Sequence, residues 1–508
     1  MNNNNESTLD QSSILDFYAG KTLFITGFSG FLGKVLVEKI LRCIDVKRVY
    51  VLLRGKRGLS PAERLKQILN KQPFTFHDKT VLNAYKVVAV EGDLGAPNLG
   101  IDQKTCDKLI EEVNVVLHCA ADVRFDADLE SNLVNNVKGT EYLIDLCHQF
   151  AHLEAMVHVS TAYSFCDRLV IEEKVYPMEF GYDEVENVLK SPDAAFKKKQ
   201  TEKFLAGRPN PYTLTKALGE DLVMKKRGNI PTSIVRPSIV ISSVNEPAPG
   251  WVDTIQGIQG IGLAAQIGLL QTVDWNYWAA VDTIAVDICA NFIIASAWYS
   301  ACKKPNECMV YNLTAGAFHP EMTWGGIFEL AREAAYVYPS KKQLRPLMAP
   351  PKYKRARFYY PLEKFLYHTF FAILLDMIIS LFGYKRFLYK QACRLNKGLD
   401  LVVFFTTHEF KIKTDRYLEL VNSLSPKDYK LFYCDVRKFN FSEYIVDCVK
   451  GFKKYFLKED EADIASAKKQ VMIVCALYRF IQLMFLGLIG KYLFSLGCYL
   501  MNNTVTSS

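Results

Sequence analysis

The chain has 508 residues, half of them hydrophobic and 23% charged, with a formal net charge of +8. So mild a positive balance, without an arginine-rich stripe or a base-reading motif, leaves nucleic acid outside the expected partners. Thirteen scattered cysteines, with no CxxC and no His/Cys cluster at ligand spacing, argue against a disulfide framework and against a metal site, and point to reduced thiols facing the cytosol.

In chain order, residues 1–20 open as MNNNNESTLDQSSILD, polar throughout, which reads as a disordered tail and not a signal peptide. KTLFITG is then expected as a buried strand, FLGKVLVEKILRC as a helix and VKRVYVLLR as a second strand. YKVVAVEGDL, VNVVLHCAA, LEAMVHVSTAY and TSIVRPSIV add short β-rich runs, separated by helical patterns such as NNVKGTEYLIDLCHQF. Strands alternating with helices predict an α/β fold with a doubly wound parallel sheet, regular to about residue 240.

Beyond that point IQGIGLAAQIGLL suits an acyl channel and ordinary core equally well. KKQLRPLMAPPKYKRARFYYP is basic and proline-interrupted, a boundary or surface arm. The apolar run FLYHTFFAILLDMIISLF from Phe365 is interrupted by His368 and Asp376. Val471 to Met501 holds only Arg479 and Lys491 as charges. A hydrocarbon core about 30 Å thick needs roughly twenty apolar residues, so this tail is expected to anchor the chain in a membrane, as one tilted span or as a hairpin.

Several short stretches carry chemistry. TGFSGFLG follows the first strand and opens the first helix. Gly27 permits the tight turn, Gly30 lets the backbone approach a pyrophosphate, and Gly33 allows close helix–strand packing. Thr26, Gly27, Ser29, Gly30, Phe31, Leu32 and Gly33 are therefore the candidate dinucleotide loop. Where an NAD enzyme usually places an acid, the second strand ends in Arg54, Lys56 and Arg57. A guanidinium there can pair with a 2′-phosphate and select NADPH. Asp93 could accept from the adenine amino group or cap a helix. The small residues of HCAADVRF, Ala120 among them, leave room for the cofactor, and His118 reads as a satisfied core histidine.

NPYTLTKALGE starts with an Asn-Pro turn and sets Tyr212 and Lys216 about one helical turn apart on the same face. The bland alternative is a solvated face with Lys216 paired to Glu220. VHVSTAY ends the fifth strand with Ser160 and Thr161. A strand-end hydroxyl, a tyrosine and a lysine are the groups that carbonyl reduction needs. An ammonium about 4 Å away, at an effective dielectric near 20, is worth about 4 kcal/mol. That would bring a phenol from about pKa 10 to near 7.

Together the TGxxGxxG loop, the strand-end hydroxyl and YxxxK resemble an extended short-chain dehydrogenase/reductase with a Rossmann-type fold. TGFSGFLGKVLVEKILR, VYVLLR, NVKGT, VHVSTAY, YTLTKALGE and IVRPSIV are similar to the alcohol-forming fatty acyl-CoA reductases, the male-sterility family. GWVD, VYNLTAG, TWG and FFTTHEFKIKTD resemble that family's later segments, so the likeness covers roughly residues 20–457. It departs at Asn210-Pro211, where relatives often have Asn-Thr, and at His408, which receives no role.

The resemblance implies a division into a tail over 1–20, a reductase domain over 21–300, an extension and basic arm over 301–364, a C-terminal domain over 365–457, and a membrane segment over 468–501. It also implies Tyr212 as general acid, Thr161 as the second hydrogen bond to the reacting oxygen, and Lys216 as ribose holder. The implied reaction takes a long-chain acyl-CoA and two NADPH to a primary alcohol through a bound aldehyde. Membrane lipid and a second copy of the chain are the further expected partners, and the endoplasmic reticulum is favoured over the peroxisome. Lys197 to Lys199 and Lys352 to Arg357 read as solvated faces, with CoA phosphate or anionic lipid as the alternative. The rivals are a membrane-bound sterol-type dehydrogenase, an aldehyde-releasing thioester reductase, and a silent NADPH-binding scaffold.

Overall fold

The computed structural model describes residues 12–349, 359–438 and 440–505; the basic run Lys352 to Arg357 lies outside them. The chain divides into two compact units, each assembled from separate stretches. One takes residues 1–254, 278–324 and 401–448, and the other 255–277, 325–400 and 449–508.

The first unit is built on a seven-stranded parallel sheet: β1 Thr22–Thr26, β2 Arg48–Leu53, β3 Val87–Glu91, β4 Val115–His118, β5 Ala155–Val159, β6 Thr232–Pro237 and β7 Cys308–Leu313. Their order across the sheet is β7-β6-β5-β4-β1-β2-β3, which turns back between β1 and β4. Every residue of β1, β4 and β5 is buried, as expected of parallel strands covered on both faces. Each expected strand is present. A seventh, not expected as a strand, lies past residue 300, where Cys308 to Leu313 pair in register with Thr232 to Pro237.

Among the helices, α1 is Ser13–Tyr18, α2 Phe31–Cys43, α3 Pro211–Lys226, α4 Val286–Cys302 and α5 the run Tyr360–Leu381. Two more, α6 Leu388–Thr407 and α7 Ile464–Val505, lie toward the end of the chain.

The tail expected over 1–20 is ordered in its described part. Ile14 and Tyr18 are fully buried, the Tyr18 hydroxyl donates to the Ile294 carbonyl at 2.9 Å, and Asp428 accepts the Ser13 amide at 3.1 Å. Its apolar residues, Ile14, Leu15, Phe17 and Tyr18, fall within five positions at the end of a polar segment, too short a run to show a helical period.

The second unit holds α5 and α7. Its helix Ile258–Gln266 contains most of the stretch read as channel or core. Gly262 lies so close to Phe452 that a Cβ would meet its ring at 3.0 Å, and Gln266 donates to the Val449 carbonyl at 3.1 Å. The interrupting residues of α5 face inward. His368 Nε2 accepts the Gln271 amide at 2.9 Å, and Asp376 accepts the amides of Phe387, Leu388 and Tyr389 at 3.0, 3.0 and 2.8 Å.

Candidate active site

The loop between β1 and α2 is shaped by close approach. Gly27 has φ +80°, and a Cβ there would lie 2.6 Å from the Ala120 nitrogen. A Cβ on Gly33 would lie 2.3 Å from the Gly27 carbonyl oxygen. Both contacts are with backbone and cannot relax cheaply. Gly30 is the N-cap of α2 and carries no side-chain cap, and it is exposed together with Ser29, while Phe31 and Leu32 are half-buried. Free amides at a helix start suit an anionic group. Thr26 differs from its expected role. Its hydroxyl is fully buried, accepts the Ala120 amide at 3.2 Å and meets His118 Nδ1 at 2.7 Å. It holds the loop from beneath and does not present itself to a ligand.

His118 also reaches the Thr140 hydroxyl at 3.0 Å. Burial and the nearby Lys216 hold its pKa down to about 3, so it is a neutral core histidine. At the end of β2, Arg54 is exposed and 3.4 Å from Asp93. Asp93 also accepts the Gly95 amide at 3.2 Å, so its carboxylate closes a local turn and partners Arg54. These two groups are brought together just past the ends of β2 and β3.

At the other side of β4, α3 begins as the sequence suggests. Asn210 caps it by accepting the Thr213 amide at 3.1 Å, and Pro211 occupies the first turn, where no amide hydrogen is needed. Tyr212 has the Thr161 hydroxyl as its polar neighbour, near enough to favour the phenolate. Thr161 Oγ1 accepts the Tyr163 amide at 3.3 Å, leaving its own proton to donate. Burial pushes the Tyr212 phenol up to about 12, partly offset by Thr161. The shift runs opposite to the lowering expected from Lys216. The lysine is 2% exposed, and its Nζ donates to the Val159 carbonyl at 2.7 Å. Burial brings Lys216 down to about 8, against the raising influence of Glu220 and Cys119.

The solvated Lys216–Glu220 face does not form. Glu220 is fully buried and ion-paired with Arg236 at 2.5 Å, and it accepts the Ser160 and Ser164 hydroxyls at 2.5 and 2.9 Å. Ser160 and Thr161 are thereby separated in role: the serine faces the buried pair, the threonine the tyrosine.

Sequence reasoning assigns no role to four residues near this site. The Phe125 ring lies 5.6 Å from that of Tyr212, Phe405 lies 5.5 Å from Phe125, and Tyr163 lies 5.1 Å from Phe405. They form an apolar wall beside the phenol. Asn136 sits in a π turn, Val134–Lys138, and its side chain takes the Asp122 amide at 2.7 Å and gives to the Asp122 carbonyl at 3.1 Å. The π turn inserts one residue, a feature common at functional sites. NVKGT and FFTTHEF are the sequence signals for Asn136 and Phe405, and neither says which side chain points inward.

Residues 25–293 match one family model and residues 367–459 another, both described as male sterility protein. Fatty acyl-CoA reductase 1 of Rattus norvegicus is 37% identical over 461 residues, covering 90% of this chain and 89% of its own. Fatty acyl-CoA reductase 2 of Mus musculus is 35% identical over 462 residues, covering 91% and 89%. Among solved structures, the terminal R domain from the myxalamid PKS-NRPS biosynthetic pathway has a TM-score of 0.59 at 20% identity, covering 87% of this chain and 93% of that one. A nonribosomal peptide synthetase reductase domain from Mycobacterium tuberculosis has a TM-score of 0.55 at 18% identity, covering 88% and 98%. At such identities these two likenesses speak for the fold.

Proposed function

The chain belongs to the male sterility protein family, and from that premise we propose that it is an alcohol-forming fatty acyl-CoA reductase. It reduces a long-chain acyl-CoA to the primary alcohol with release of CoA. The observation that carries the reading is buried Lys216, fixed on the Val159 carbonyl one turn along α3 from Tyr212, beside relatives named for this activity over nine-tenths of the chain.

The residues fit NADPH. The Gly27–Gly33 turn would hold the pyrophosphate on the open start of α2, and Arg54 would pair with the 2′-phosphate, releasing Asp93 toward the adenine. Lys216, with one ammonium hydrogen on Val159, has two more for the ribose hydroxyls. Bound there, NADPH supplies the hydride, one per reduction, so thioester to alcohol consumes two.

The protein's own part is proton transfer and charge stabilisation. A neutral Tyr212 phenol donates its proton to the carbonyl oxygen as negative charge develops there, and Thr161 donates a hydrogen bond to the same oxygen. Both reductions place charge on one oxygen, so one acid serves both. The Phe125, Tyr163 and Phe405 wall keeps water from the phenol and strengthens these hydrogen bonds.

Attachment to a membrane rests on α7, 42 residues long and about 63 Å at 1.5 Å per residue, more than twice the hydrocarbon thickness. The endoplasmic reticulum is the proposed site, with the catalytic unit facing the cytosol. The sequon at Asn312 stays unmodified, since that side chain is fully buried and bonded to the carbonyls of Ile171 and Lys413 at 3.3 and 2.8 Å.

The test is purified full-length protein with NADPH and a panel of acyl-CoAs, with products extracted and identified. Two NADPH consumed per CoA released, with alcohol as product, is the expected result. One NADPH per CoA with free aldehyde would make it a thioester reductase, and no acyl-CoA turnover but oxidation of added sterols when NADP⁺ is supplied would favour the dehydrogenase.

A further inference from the structure

Helix α5 carries two faces of opposite character. His368, Ala372 and Asp376, at four-residue spacing, are turned to the protein and buried. Both polar side chains on that face are satisfied, His368 by the Gln271 amide and Asn396 Oδ1 at 2.7 Å, Asp376 by the amide of Phe387 and the first two amides of α6. The other face is apolar and open to solvent. Leu362, Leu366, Phe370, Ile373, Met377 and Leu381 follow one another at spacings of three and four residues, each 36 to 84% exposed. Phe382, Tyr384 and Phe387 continue the surface beyond the helix end. Contiguous apolar surface of this extent marks an interaction site.

Three observations decide what covers it. Between Asp376, which is buried, and Asp400 there is no acidic residue, while Lys385, Arg386, Lys390 and Arg394 are all exposed. The rim of the patch is therefore positive. The patch is also continuous with the tail helix of the same unit, because the Phe371 ring lies 6.0 Å from that of Tyr478 in α7. Finally, the tyrosines at 367, 384 and 389 are exposed at 45 to 71%, the amphipathic rings that favour a bilayer boundary.

We propose that α5 lies in the plane of the bilayer, its apolar face among the acyl chains and its basic rim on anionic phospholipid headgroups. It would be a second membrane contact beside α7, and it holds whatever reaction the first unit performs. By length and composition α5 could cross a bilayer, but its inner face forbids it. Spanning would carry the α6 amides held by Asp376, and the basic residues just after them, into hydrocarbon, where such groups are expensive. An in-plane helix with a charged rim inserts only about 5–10 Å.

The test uses the full chain in phosphatidylcholine vesicles with and without phosphatidylserine. An environment-sensitive fluorescent amino acid is placed singly at positions 366, 373 and 381, and lipids brominated near the headgroup or near the chain end serve as quenchers. Thermal melting checks that each labelled chain is folded. The expected result is quenching at all three positions, to the same extent and by the shallow quencher. With phosphatidylserine it should strengthen, and Lys385→Glu with Arg386→Glu should abolish that gain. A depth that changes steadily from 366 to 381 would overturn the proposal in favour of a span. A blue shift without lipid quenching would overturn it in favour of a protein partner or a second copy. Emission typical of water at all three positions would leave no role for lipid, and shallow quenching indifferent to the charge reversal would remove the anionic headgroup from the proposal.

Discussion

Tyr212 is raised to about 12 and Lys216 lowered to about 8, so the two groups divide the pH range between them. The phenol stays protonated throughout the working range, ready to donate. The lysine's pKa in the fold is depressed, so its ammonium is lost as pH rises through about 8. The value of kcat/KM for NADPH is therefore expected to fall above that pH, about tenfold per unit. Lys216→Arg, whose charge does not titrate there, should remove this alkaline limb while lowering the plateau. Tyr212→Phe keeps the ring against Phe125 and removes the proton, and should lose about 10²- to 10⁴-fold in kcat; alcohol output at the normal rate would refute its role. Arg54→Asp should weaken NADPH strongly and spare NADH, measured as the ratio of their KM values. A repelled 2′-phosphate is the cause, and an unchanged ratio would clear Arg54 of that task.

At the scale of elements, the buried Glu220–Arg236 pair ties α3 to β6, and through Ser160 and Ser164 it also ties α3 to the end of β5. Arg236 donates in addition to the carbonyls of Glu172 and Lys174 at 3.0 and 2.8 Å. These bonds set the distance between Thr161, just past β5, and Tyr212, in the first turn of α3. Glu220→Gln leaves a guanidinium buried without its counter-charge, and should cost about 3–5 kcal/mol in urea unfolding. In Tyr212→Phe the pair stays intact, and the unfolding midpoint should move little. The start of α2 offers a second check. Gly33→Ala forces a methyl to within 2.3 Å of the Gly27 carbonyl, and should destabilise by about 1–3 kcal/mol and raise the KM for NADPH more than that for acyl-CoA.

Over the whole molecule, ending the chain after Arg479 removes most of the apolar tail and keeps Tyr478 beside Phe371. The full chain should resist alkaline extraction from membranes, and the shortened one should be released by it. The strand–helix alternation, the glycine turn, the Tyr212/Lys216 couple and the apolar tail are all legible in the sequence. Each depends on local spacing, and period and turn chemistry act within a few residues. Tertiary structure alone decided that Ser160 and Thr161 part company, that Glu220 turns to Arg236 instead of Lys216, and that Phe405 packs on Phe125, the ring beside the phenol, from far along the chain. It alone turned His368 and Asp376 inward, so that an apolar run interrupted by two polar residues became one clean face. Which side of an element is covered depends on neighbours distant in sequence. The same burial raised the tyrosine and lowered the lysine, because desolvation disfavours whichever form carries charge.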